Sequence, residues 1–117
     1  MKRIKATSLV AVFQVKDMEA SIAWYKKWLG EPDVIPMENT AEYKIGESAW
    51  LQLSAEEFDK AGSGTVVIGV DDIRECKKIL DQQGIETGDI MDYEVVLVLD
   101  IYDIDGNQIS FAQEMEF

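Results

Sequence analysis

One pattern occurs twice in this chain, and that repeat limits the possible folds more than any other feature. V-K-D-M-E-A-S-I-A-W-Y-K-K-W-L-G at Val15 to Gly30 returns as V-D-D-I-R-E-C-K-K-I-L-D-Q-Q-G at Val70 to Gly84. The alignment sets Val70 on Val15, Asp72 on Asp17, Ile73 on Met18 and Cys76 on Ser21. A period near half the chain implies two copies of one supersecondary unit. Two halves imply a cleft between them, where function is to be sought.

Each copy reads as a strand followed by a helix. Residues 8–15 alternate, with Leu9, Ala11, Phe13 and Val15 on one face and Ser8, Val10, Val12 and Gln14 on the other, and both faces read as largely covered. Asp17 stands where an N-cap belongs, and Gly30 stops the helix that runs to Leu29. At 100° per residue, Met18, Ser21, Ile22, Tyr25, Trp28 and Leu29 share one arc, with Trp24 at its margin. Trp24 and Trp28 thus suit core or subunit contact better than ligand contact. Three short segments follow, about Val34 to Met37, Ala41 to Ile45 and Ala49 to Ser54. The glycine-rich stretch within residues 55–64 is expected to link the halves.

The second half repeats the order: a strand at Thr65 to Val70, a helix at Asp72 to Gln83, a weaker segment at Ile85 to Ile90 and an apolar strand at Val95 to Tyr102. Asp103, Ile104, Asp105, Gly106 and Asn107 give a tight turn before a last strand, Gln108 to Gln113. Glu114, Met115, Glu116 and Phe117 either pack on a partner subunit or fray. The expected fold is α+β, two βαβββ modules at about 8–54 and 65–114 forming curved mixed sheets around a cleft. Neither module is large enough to bury both faces of its own sheet, so modules are expected to pack edge to edge, within a chain or between chains.

At 117 residues the chain suits one domain, burying about 65% of its unfolded surface without a disulfide or metal. The apolar run Leu9 to Phe13 is too short for a signal-peptide core or a membrane span, and a single cysteine, Cys76, fits a reducing compartment. Cys76 reads as a small buried side chain rather than a reactive thiol. The expected location is cytoplasmic. A formal charge of −12 repels nucleic acid and anionic membranes; it either attracts a cationic ligand or serves solubility. Histidine is absent, which removes the usual general base near neutral pH and the commonest transition-metal ligand.

The first helix motif, its repeat and D-I-D-G-N-Q-I-S-F at Asp103 to Phe111 resemble the vicinal oxygen chelate superfamily, which includes glyoxalase I, bleomycin resistance proteins and extradiol dioxygenases. The turn departs from that family's pattern by carrying Ile104 where proline is usual. The resemblance implies paired βαβββ modules around a shared cavity, with four metal-ligand positions falling at Val10, Gln52, near Thr65 and at Ser110. Only Gln52 of these is able to coordinate, and one amide oxygen is not a site. A metal-free member without a cofactor is therefore expected. Metal-free bleomycin resistance proteins, which this chain resembles in size and acidity, sequester a cationic drug in grooves formed by a dimer.

Strand parity lines the cavity with Val10, Val12, Gln14, Trp50, Gln52, Thr65, Val67, Val98, Asp100, Tyr102, Gln108 and Ser110. Trp50 offers a flat π face and Asp100 a carboxylate for a cation. The bland alternative has Trp50 plugging a closed cavity and Asp100 facing solvent. Three functions stay open. The first is a homodimer that sequesters a small hydrophobic or cationic molecule. The second is a glyoxalase-like lyase, isomerase or oxygenase, with Asp100 as base and Tyr102 or Gln52 polarising a carbonyl. The third is a regulatory or scaffold protein with a vestigial cleft.

Overall fold

Both halves begin with a strand that hands over to a helix through an aspartate cap. The computed structural model of the chain describes residues 2–116, so Phe117 of the expected terminal contact lies outside the described residues. Strand β1 (Leu9–Gln14) leads into α1 (Met18–Leu29), where Asp17 accepts from the Ala20 N–H at 3.2 Å. Strand β4 (Thr65–Gly69) leads into α2 (Ile73–Gln82), where Asp72 accepts from the Glu75 N–H at 3.1 Å. Each cap satisfies one of the free amide donors that a helix start leaves. Strands β2 (Thr40–Ile45) and β3 (Ala49–Ser54) complete the first half; β5 (Met91–Asp92), β6 (Val96–Tyr102) and β7 (Gln108–Glu114) complete the second.

The strands form two sheets, ordered β1-β3-β2 and β4-β7-β6-β5, with β1 and β4 parallel to their neighbours and the other pairs antiparallel. The expected strand at Val34 to Met37 is reduced to one bridge, Val34 to Glu42. Pro36 offers no amide donor to a ladder, and Val34, Ile35 and Met37 stay exposed, so nothing there favours a longer pairing. Ile85 to Ile90 is irregular, and regular pairing begins only at Met91. No strand ladder joins the two sheets of one chain among the described residues. Among the described residues no helix is long and apolar enough to cross a membrane.

One core serves both halves. Ala41, Tyr43, Leu51, Leu53 and Phe13 of the first sheet and Leu97, Leu99, Ile101, Ile109 and Phe111 of the second are buried beneath the helices. The arc read on α1 is the packed one: Ser21 and Tyr25 are buried, and Met18, Ile22, Trp24, Trp28 and Leu29 pack against the core. Trp28 meets Phe111 edge-on, ring centroids 5.5 Å apart, so a first-half helix lies on the second-half sheet.

The turn before β7 is the polar tie between the halves. Fully buried Asn107 donates through Nδ2 to the Gln14 carbonyl at 3.0 Å and to Asp103 at 2.9 Å, and its Oδ1 accepts from the Gly64 N–H at 2.9 Å. Asp103 also accepts from the Tyr25 hydroxyl at 2.9 Å. Burial, then the Asp103 charge and the hydrogen bond to it, raise the Tyr25 pKa far above its ordinary 10.0. Burial, with Glu31 and Asp33 nearby, pushes Tyr43 up to about 12. An unfolded chain releases these phenolic protons near 10.0 while the folded chain keeps them, so stability is intact below that pH and falls as pH rises beyond it. Tyr25→Phe is expected to flatten this alkaline fall, read as urea midpoints at about pH 8 and about pH 11. Equal falls in the two proteins would refute the assignment.

Candidate functional site

Register fixes which side chains share the sheet faces turned away from the helices. On the first sheet these form the rows Val10–Trp50–Lys44 and Val12–Gln52–Glu42. On the second they are Thr65–Gln108–Tyr102, Val67–Ser110–Asp100 and Gly69–Ala112–Val98 with Met91 beside Val98. Strand parity therefore placed Val10, Val12, Trp50, Gln52, Thr65, Val67, Val98, Asp100, Tyr102, Gln108 and Ser110 on these faces, divided between two sheets. Gln14 is at the end of its row and is occupied, its Oε1 accepting from the Glu57 N–H at 3.0 Å.

The expectation that β1 is covered on both faces is corrected. Val10 is 44%, Val12 48%, Val67 64% and Tyr102 56% exposed. Apolar residues on both sides of β1 mimic a fully buried strand, yet among the described residues nothing buries Val10 and Val12 on the outer side. Trp50 is half-buried on this open face and does not plug a closed cavity.

Polar side chains on the faces hold one another in place. Gln108 Nε2 donates to Ser110 Oγ at 3.0 Å, and Ser110 donates to Asp100 Oδ1 at 2.6 Å, which fixes the carboxylate and leaves its other oxygen without a partner among the described residues. On the first sheet Gln52 Nε2 donates to Glu42 at 2.8 Å. These bonds bear on the metal-ligand positions of the resembled family. Val10 has no donor atom and Ser110 is engaged with Asp100, which leaves the Gln52 amide oxygen and the Thr65 hydroxyl, two neutral oxygens on different sheets, so this set does not fit a chelated cation. Among the described residues no group of three or more Asp, Glu, Cys and His side chains is placed to hold a metal ion.

Asp100 and Tyr102 line a cavity of about 590 Å³, with Met91 of β5 and residues 86–89 of the loop after α2. Glu86, Asp89 and Asp100 are three carboxylates on its wall, and no basic side chain joins them. The loop wall is fastened from behind. Thr87 donates to Asp81 Oδ1 at 2.5 Å, and Lys77 donates to Thr87 at 2.6 Å and to Asp81 Oδ2 at 3.1 Å. The Thr87 and Lys77 hydrogen bonds hold the Asp81 carboxyl below its usual range. Sequence reading missed Glu86, Asp89 and Met91. The acidic, glycine-containing stretch between a helix and an apolar strand was their only local signal. Glu42 and Lys44 were also missed, although the alternation of β2 sets them opposite Ala41, Tyr43 and Ile45.

No protein-family model matches the sequence, and no curated protein sequence matches it. Solved structures do. A glyoxalase/bleomycin resistance protein from Catenulispora acidiphila is 28% identical, with a TM-score of 0.85 over 94% of this chain and 100% of its own. TnmS3, an antibiotic binding protein from a Streptomyces species, is 18% identical, with a TM-score of 0.78 over 98% of this chain and 100% of its own. A glyoxalase/bleomycin resistance protein/dioxygenase from Nocardioides is 19% identical, with a TM-score of 0.74 over 98% of this chain and 87% of its own. Two sheets of three and four strands, each backed by one helix, give the chain the glyoxalase/bleomycin resistance fold of the vicinal oxygen chelate superfamily.

Proposed function

We propose that this chain is a metal-free binding protein of the bleomycin-resistance type, sequestering a small hydrophobic or cationic molecule on the open sheet face. The observation that carries the reading is the Asp100–Tyr102 cavity. Its volume of about 590 Å³ suits a small organic ligand, Tyr102 and Met91 supply apolar contact, and three carboxylates attract a positive charge. A like fold in an antibiotic binding protein supports the same direction.

A homodimer is part of this proposal. The chain is a slab, 47 × 46 × 24 Å, and its radius of gyration of 15.1 Å exceeds the roughly 13 Å usual for this length. Val10, Val12, Val67 and Tyr102 on the open faces would be covered by a second copy, and a cleft between copies would enclose a ligand on both sides.

Calorimetry against a panel of cationic aromatic drugs, bleomycin included, tests the binding. At least one compound is expected to bind at micromolar Kd or tighter, with Asp100→Asn and Tyr102→Ala each weakening it by about tenfold, equivalent to ~1.4 kcal/mol. No binding tighter than millimolar would defeat the proposal. Turnover of a carbonyl compound lost in Asp100→Asn would favour the lyase or isomerase reading instead. A protein that sediments as a monomer with ligand bound would remove the dimer from the proposal.

A further inference from the structure

Strand β6 is paired unequally on its two sides. β7 pairs with it from Val96 to Tyr102, whereas on its other side β5 pairs only with Leu97 and Val98. Hydrogen bonds at the two ends of the β6–β7 hairpin fix which backbone groups are left over. The Met115 N–H donates to the Val95 carbonyl and the Asp103 N–H to the Asn107 carbonyl, so the odd-numbered residues of β6 bond to β7. The even-numbered ones face the β5 side, as Val96 does when its carbonyl accepts from the Tyr93 N–H at 3.0 Å. The N–H and C=O groups of Asp100 and Tyr102 therefore point outward from the sheet edge, with no backbone partner among the described residues. Both residues line the cavity of about 590 Å³.

The chain's own next residues are held off that edge. Continuing the β5 register beyond Met91 would set Asp89 opposite Asp100 and Thr87 opposite Tyr102. Like charges directly opposite one another destabilise an antiparallel pair, which disfavours this continuation. Thr87 is instead tied to Asp81 and Lys77 of α2, and residues 86–89 make no backbone hydrogen bond among the described residues. The cavity is the gap left between that loop and the edge of β6.

We infer that the cavity takes a short cationic peptide, added antiparallel to the outer edge of β6 in the place that a longer β5 would fill. The inference rests on reading this cavity as the ligand site, and it narrows the ligand to one with an extended amide backbone. An unpaired strand edge accepts such a chain through main-chain hydrogen bonds, while neighbouring side chains select its sequence. Opposite Asp100 the favoured residue is basic. The carboxylate oxygen that Ser110 leaves free faces no cation of this chain, and Glu86 and Asp89 add two more acids to the cavity wall. A volume of about 590 Å³, within the roughly 300–1,000 Å³ usual for drug-sized ligands, and a loop wall along one side suit a few residues of free peptide rather than the edge of a folded partner.

Calorimetry of the full chain with acetyl-Val-Lys-Val-Lys-Val-amide tests the inference, and saturable binding of one peptide per chain is expected. In the antiparallel register its lysines stand opposite Asp100 and Tyr102, so their N–H groups face β6 and those of the valines face away. N-methylation of both lysine amides is expected to weaken binding at least about tenfold, and N-methylation of two valine amides by less than about twofold. The Asp100 and Tyr102 amides should gain protection from hydrogen exchange as the peptide is added. The glutamate analogue, acetyl-Val-Glu-Val-Glu-Val-amide, is expected not to bind. Equal losses from the two methylation patterns, or equal binding of the glutamate analogue, would overturn the inference. An oligomer that comes apart as peptide is added would assign the edge to a second copy and overturn it too. Binding of a cationic aromatic drug without binding of the lysine peptide would remove this inference and leave the sheet-face reading standing; failure of drugs and peptide alike would remove both.

Discussion

Asn107→Leu is expected to remove about 3–5 kcal/mol of folding stability, among the largest losses available from one side chain in this chain. The substitution keeps the volume roughly constant, so little of that loss is cavity formation. It comes from stranded polar groups. Gly64 loses the acceptor of its N–H, Gln14 loses the donor to its carbonyl, and Asp103 loses one of the donors around its buried carboxylate. Each buried group left without a partner costs ~1–3 kcal/mol. A domain of this size holds roughly 5–15 kcal/mol in total, so the variant sits near the edge of folding. Urea denaturation of the two proteins measures the difference. A loss below about 1 kcal/mol would mean that water replaces Asn107 and that the turn does not tie the halves together.

The residues that make this tie explain what sequence could and could not reveal. Helix α1 was legible because its packed arc and its Asp17 cap are local, written within a few turns of one helix. The D-I-D-G-N turn was legible for the same reason. What Asn107 does there was not, because its partners Gly64 and Gln14 lie 43 and 93 residues away in the chain. The sheet faces show a second kind of blindness. Parity assigns Val10, Val12, Asp100 and Ser110 correctly to the face away from the helices, but parity says nothing about what covers that face. Val34 to Met37 shows a third. Its apolar residues suggest a strand, while Pro36 and the lack of any packing partner limit the pairing to a single bridge. The wall formed by residues 86–89 carries no periodic signal, and its position depends on the Thr87–Asp81–Lys77 contacts.

Gly62→Ala is expected to cost about 3 kcal/mol or more, against about 1 kcal/mol for Gly46→Ala, by the same denaturation measurement. Both glycines have positive φ, +67° at Gly46 and +90° at Gly62, so both variants carry the conformational cost that a Cβ brings there. Only one meets an obstacle. At Gly46 a Cβ would have no atom within 4 Å, whereas at Gly62 it would be driven into the backbone carbonyl oxygen of Asp105. That carbonyl cannot easily retreat. The Asp105 N–H donates to Asp103 at 3.0 Å, and its own carboxylate accepts from the Lys16 N–H at 3.3 Å. The linker between the sheets must therefore shift instead, and the difference between the two alanine variants measures how firmly it is held. Equal losses would show that the linker yields freely. The same variant separates two ways of holding a ligand. A molecule bound by Asp100 and Tyr102 alone uses only the second sheet and should bind Gly62→Ala normally wherever the variant stays folded. A molecule gripped by both sheets of one chain, Trp50 included, should lose affinity as the linker moves.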